Sequence, residues 1–204
     1  MSYSHMFYGV DLTRLKAVYG SKDERLIADV LKERAEELQN NDGFFEDELE
    51  AGTIPNSEAA LREIVAGTIR KYEGAEPLFG YVLKILCEHI GEFIGGGEVA
   101  AIRDHSYKSQ LLASGVPIPI PYTGQNFPEI GFLASHEIPA ELQRIDRAPP
   151  KAKRSFKMTL LSWLTRGLIG RQMSDAEAVE DMQAYRATLQ AALDKGLSVV
   201  SFRH

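Results

Sequence analysis

Apolar and polar positions along the chain alternate between two periods, and the changes of period mark out its elements. Met6, Phe7, Tyr8 and Val10 crowd together and stop at Asp11, which predicts a buried strand over residues 3–10 handing over to a helix N-cap. A short helix from Leu12 to Tyr19 is closed by Gly20, since glycine takes the left-handed conformation that ends a helix without steric cost. Ser21 to Glu24 reads as a capping box, from which Leu26, Ile27, Val30, Leu31 and Leu38 continue one helical face. Residues 40–53 lose this period and predict an acidic loop, in which Asp42, Glu46, Asp47, Glu48 and Glu50 surround the pair Phe44 and Phe45. Ser57 is the expected cap of a third helix that carries Leu61, Ile64 and Val65 and stops near Gly67.

The longest apolar run extends from Leu78 to Ile94 behind Pro77, a residue suited to a first helical turn. It predicts a central core helix, ended by Gly95, Gly96 and Gly97. Residues 116–121 alternate Val or Ile with Pro. Each proline lacks the N–H that a ladder needs, so this stretch must be an edge strand or a polyproline-like segment bordering the sheet. Residues 127–133 form a second extended piece, Ser135 caps a helix to about Ile145, and Pro149-Pro150 breaks the chain. Phe156, Leu160, Leu161, Trp163, Leu164 and Leu168 are spaced like one face of an amphipathic helix. Ser174 to Glu177 opens a last long helix with Val179, Met182, Tyr185, Leu189 and Leu193 inward, Gly196 ends it, and residues 197–202 close the chain as a strand.

These elements predict an α+β fold: one helix-rich domain over residues 1–204 with a small mixed sheet that includes the N- and C-terminal strands side by side. The helices are expected on one face of it. A chain of 204 residues can bury about 70% of its unfolded surface, and 44% apolar with 25% charged residues is far from the disordered regime.

Charge changes the picture more than composition does. The net charge is −6, but residues 147–173 hold seven bases and no acid, leaving sixteen bases against 29 acids, or −13, elsewhere. This basic segment reads as a peripheral insertion on the domain. The acidic total argues against nucleic acid as a partner. No window is long and apolar enough for a transmembrane segment, and the first residues have neither the basic start nor the apolar run of a secretory signal. A lone Cys87 excludes an internal disulfide. A cytoplasmic home is the resulting expectation.

Candidate chemistry is sparse. His5, His89, His105, His136 and His204 contain no pair at the spacing that sets two imidazoles on one helix face, so neither a metal nor another cofactor is expected. The glycine run at 95–97 follows a helix rather than a strand and lacks the Gly-Lys-Ser/Thr of a phosphate loop. Cys87 in an apolar helix reads as structural. Carboxylate pairs at Glu36 and Glu37 or within Glu46 to Glu50 read as solvated faces. Three groupings remain. Asp104, His105, Tyr122, Gln125 and Asn126 could line a pocket near the Pro-rich segment 115–132. Phe44, Phe45, Glu46, Asp47 and Glu48 form either a surface for a basic partner or a stretch whose phenylalanines tuck into the core. Lys151, Lys153, Arg154, Lys157 and Trp163 form an anion or membrane surface, unless that helix simply docks.

The order of elements, with Ala60 to Gly67 in the helical middle, Phe127 to Leu133 before the Ser135 helix, and Tyr185 ahead of Gly196 to Phe202, resembles the small bacterial YfbM-like proteins, a domain of unknown function. The resemblance implies a bacterial α+β protein with no catalytic residues to carry over, from the neighbourhoods where immunity proteins occur. The leading expectation is a non-catalytic, immunity-like protein-binding module with a protein partner. The alternatives are a small-ligand protein or hydrolase with a pocket near 115–132, and a peripheral binder of anionic membrane through 147–171.

Overall fold

The computed structural model describes residues 4–98, 111, 114–124, 127–147 and 175–204, apart from the side chains of 97–98 and 175–181. Strand β1 (Ser4–Val10) lies inside a four-stranded sheet of order β2-β1-β4-β3, with β2 at Glu92–Glu98, β3 at Glu129–Leu133 and β4 at Ser198–Arg203. The N- and C-terminal strands pair directly, His5 opposite Arg203 and Val10 opposite Ser198. All three pairings are antiparallel, not the mixed sheet expected from sequence, because each connection delivers its strand from the end that reverses direction.

Alternation along the strands sends side chains to opposite faces. Tyr8, Val10, Ile130, Val200 and Phe202 enter one apolar cluster, built chiefly with helix α6 (Glu76–Ile90) and helix α5 (Ser57–Ala66). Phe7, Leu133 and Val199 enter a second, with Ile138, Leu142 and Ile145 from helix α7 (Ile138–Arg147) and Tyr185 and Leu189 from helix α8 (Asp175–Asp194). Helices therefore cover both faces rather than one. The strands carry apolar side chains of both parities, and each set needs its own cover. Leu78, Phe79, Val82, Leu83 and Leu86 of α6 are fully buried, each contributing about 1.5–3 kcal/mol of apolar burial.

Caps fall close to the positions read from sequence, and the differences are physical. Helix α1 (Leu12–Val18) is capped by Asp11, whose carboxylate accepts from the Thr13 and Arg14 amides at 2.9 and 3.1 Å. Helix α2 (Glu24–Glu33) is capped by Asp23, not by a Ser21 box, and the Ser21 hydroxyl instead accepts from the Asp23 amide. The chain breaks at Arg34, so Leu38 belongs to a separate helix α3 (Ala35–Phe44). Residues expected as an acidic loop are thus helical, ending α3 and forming the short α4 (Glu46–Glu50). Asn56, not Ser57, caps α5. Ser57 is buried instead: its hydroxyl accepts from Asn41 Nδ2 at 2.8 Å, and its amide donates to Asp42 Oδ1 at 2.7 Å. These two bonds pin the end of α3 to the start of α5. Helix α7 begins at Ile138, three residues after the Ser135 cap expected for it. Ser174 lies outside the described residues.

The glycine run does not end a helix. Helix α6 stops at Ile90 with Gly91 as its cap, and Gly95 to Gly97 lie within β2 opposite Phe7, Met6 and His5. A Cβ on Gly95 would stand 2.5 Å from Thr188 Oγ1 of α8, and one on Gly96 would stand 2.6 Å from the His5 carbonyl oxygen. Bare backbone is what lets β2 fit between β1 and α8.

The Pro-rich stretch joins no ladder. Pro117, Ile118 and Ile120 are buried, and the Ile120 amide donates to the Ile118 carbonyl at 2.8 Å in a local turn. It does border the sheet, as the missing N–H groups require. The Tyr122 hydroxyl accepts from the Ile130 amide at 2.8 Å and donates to the Ile130 carbonyl at 3.4 Å.

Candidate functional site

Where α3 gives way to α4, the sequence places two phenylalanines in succession and then four acids among five residues. The backbone turn at Phe45 separates the two rings. Phe45 points inward and is 6% exposed; Phe44 points outward and is 74% exposed. The rings meet edge to face at 5.0 Å and 85°, and both stand 6.2 Å from Tyr81 of α6. The exposed ring is therefore mounted on a packed aromatic base, itself tied to the core by the Asn41–Ser57–Asp42 bonds.

The carboxylates of Glu46, Asp47, Glu48 and Glu50 are all exposed. An open groove of about 740 Å³ runs beside them, lined by Glu36, Asn40, Gly43, Glu46, Leu49 and Glu50 among others. Its mouth is too wide to enclose a small molecule, and its rim is acidic. Of the five residues expected here as a partner surface, four face solvent together, and Phe45 belongs to the core.

The pocket expected near the Pro-rich segment is not assembled from described residues. Tyr122 spends its hydroxyl on Ile130, and Asp104, His105, Gln125 and Asn126 lie outside the described residues. Lys151, Lys153, Arg154, Lys157 and Trp163 also lie outside them. Among the described residues, no three His, Cys, Asp or Glu side chains gather to hold a metal ion, and no helix is long and apolar enough to cross a membrane.

A family model describing a domain of unknown function, DUF7691, matches residues 1–204. The chain belongs to the DUF7691 family. No curated protein and no solved structure matches it significantly.

Two polar groupings of this DUF7691 member escaped the sequence reading. On the second face of the sheet, His5 is 1% exposed, its ring 4.2 Å from that of Phe7, and neither ring nitrogen has a hydrogen-bond partner. Burial, with Arg203 directly opposite and His204 nearby, lowers its pKa to about 3, so the ring is neutral at neutral pH. Arg203 pairs in turn with Glu129 on β3. Above that face, Glu141 is 2% exposed, accepts bidentate bonds from Arg144 at 2.6 and 2.7 Å, and accepts from the Tyr185 hydroxyl at 3.2 Å. The signals were present. His5 shares strand parity with Phe7, and Glu141 falls between Ile138, Leu142 and Ile145 on the inward stripe of α7.

On the first face, the Tyr8 hydroxyl donates to Glu88 at 3.1 Å, while Lys84 lies 3.5 Å from the other Glu88 oxygen and 5.8 Å above the Tyr8 ring. Burial, together with the Glu88 charge, pushes the Tyr8 phenol up. Burial does the same to the thiol of Cys87, which is enclosed in α6, leaving it without thiolate character. Each of these groupings ties separate elements together, β3 to β4, α7 to α8 and β1 to α6.

Proposed function

We propose that this protein is a non-catalytic binding module that engages a basic protein partner through the knuckle formed by α3 and α4. The observation that supports this is the exposed Phe44 ring on its packed base, flanked by the exposed Glu46, Asp47 and Glu48. An aromatic ring already held in place loses little freedom on docking, and rim carboxylates steer a basic surface toward it. Immunity to a basic toxin is the most concrete form of this reading, and the resemblance to YfbM-like proteins adds to it by association alone.

The test uses the wild-type chain, Phe44→Ala, and the combined Glu46→Gln, Asp47→Asn, Glu48→Gln variant as baits against native-host lysate at low and moderate salt. A basic protein retained stoichiometrically by wild type and lost by both variants, with thermal midpoints unchanged, is the expected result. Recovery of no stoichiometric partner at either salt, or equal recovery by all three baits, would overturn the proposal.

A further inference from the structure

A tyrosine whose ring is packed into a fold usually bonds its hydroxyl there as well. Five described tyrosines do so: Tyr8 donates to Glu88, Tyr19 to the Gly67 carbonyl, Tyr72 to Glu63, Tyr122 to the Ile130 carbonyl and Tyr185 to Glu141. Tyr81 is the exception. Its ring is partly buried on α6, yet its hydroxyl has no hydrogen-bond partner among the described residues and reaches solvent. A phenylalanine would fill that place as well, so packing gives no reason for the oxygen. Burial pushes the phenol up, which keeps the hydroxyl uncharged at neutral pH and able to donate or accept. The ring that carries it stands 6.2 Å from Phe44, tilted 60° to it, at the foot of the knuckle. The exposed carboxylates of Glu46, Asp47 and Glu48 have no ion-pair partner among the described residues. Lys84, one turn along α6, lies 3.5 Å from Glu88, so its charge is already met.

We propose that Tyr81 is a second recognition residue of the knuckle, and that Phe44 and Tyr81 together take an arginine of the basic partner. The inference rests on the reading of the knuckle as a partner surface and says what that surface selects. A guanidinium is planar, weakly hydrated and rich in edge N–H groups, so it stacks flat on an aromatic ring while still donating hydrogen bonds. Phe44, 74% exposed, offers the ring. With the two rings tilted 60° apart, a flat group stacked on Phe44 cannot also stack on Tyr81, and it meets that residue by donating an N–H to the hydroxyl. The carboxylates of Glu46, Asp47 and Glu48 offset the positive charge. A lysine ammonium is a compact point charge with no planar face, and it matches the carboxylates without using the ring and the hydroxyl together.

The probes are a capped glycine-serine peptide carrying several arginines and its lysine counterpart of equal charge, each titrated into the full chain while the ring signals of Phe44 and Tyr81 are followed by NMR. Expected are saturable shifts of both rings with the arginine peptide, and weaker binding of the lysine peptide. Tyr81→Phe removes only the oxygen. It should leave the thermal midpoint unchanged, since that oxygen bonds nothing in the chain, and should weaken the arginine peptide about threefold to tenfold, the value of one hydrogen bond, with little effect on the lysine peptide. Phe44→Ala should remove the preference for arginine altogether. Arginine binding that shifts Phe44 but is indifferent to Tyr81→Phe would overturn this inference and leave the knuckle standing. Equal binding of the two peptides, or no shift of either ring, would also overturn it, and the knuckle would then be judged by the lysate baits alone.

Discussion

The hydroxyl of Tyr122 lies 2.8 Å from the backbone nitrogen of Ile130 and 3.4 Å from its carbonyl oxygen, so one side chain satisfies both polar groups at the outer edge of β3. Removing it strands both groups beside a half-buried ring. Tyr122→Phe keeps the ring and deletes only the oxygen. It should cost about 1–3 kcal/mol in urea denaturation, the range for leaving buried partners unsatisfied. It should also raise the concentration dependence of light scattering, because the outward polar groups of Ile130 at the β3 edge then lose the hydroxyl that covers them. A variant as stable and as monodisperse as wild type would show that water replaces the hydroxyl without loss.

The adjacent phenylalanines make an internal control. Phe45 sits at 6% exposure within the main core and Phe44 at 74% outside it. Phe45→Ala should lose about 3–5 kcal/mol, the cost of emptying a core aromatic site. Phe44→Ala should stay within about 0.5 kcal/mol, as surface substitutions do. Comparable losses at both positions would mean that Phe44 serves stability rather than recognition.

That pair also shows how far the sequence was legible. Alternation and helical period placed the terminal strands, the body of α6, the Gly67 cap and the Gly196 cap, since each reports a local preference that the core reinforces, while Phe93 and Ile94, expected at the end of that helix, belong to β2. Residues 40–53 read as a loop because they lose the apolar helical period. Tertiary bonds from Asn41 and Asp42 to Ser57 hold them helical regardless. The glycine run was misread for a similar reason. Its meaning depends on Thr188 and the His5 carbonyl, partners distant in sequence. Which of two neighbouring phenylalanines is buried depends on the turn at Phe45, and composition carries no record of that.

The buried carboxylate of Glu141 is paired so closely with Arg144 and Tyr185 that its loss should exceed that of any surface acid. Glu141→Ala removes the acceptor of the Tyr185 hydroxyl bond and the bidentate partner of Arg144. Breaking a buried pair costs about 3–5 kcal/mol. The lower end applies here, because Arg144 keeps 32% of its side chain in solvent. Thermal denaturation beside Asp146→Ala supplies the comparison. Asp146 pairs with Arg186 at an exposed site, where the expected loss is at most about 1 kcal/mol. Equal losses at the two sites would remove the special weight given to Glu141.

His5 predicts how stability should depend on pH. Its folded pKa lies near 3, below the ordinary 6.5, because burial and the neighbouring Arg203 and His204 disfavour the imidazolium. The unfolded chain therefore binds the proton more readily than the folded one throughout that interval. The contribution of His5 is intact above pH 6.5 and is lost as pH falls from there toward 3, with a slope that approaches about 1.4 kcal/mol per pH unit. Carboxylates add their own acid limb lower in this range, so the decisive quantity is the difference between wild type and His5→Phe, which keeps a flat ring against Phe7 and cannot protonate. Urea denaturation at intervals from pH 7 to pH 4 should show the wild-type curve falling faster with decreasing pH than that of His5→Phe. Parallel curves would mean that the folded protein accommodates the proton on His5, and the neutral, unpartnered ring assigned to this strand would then be wrong.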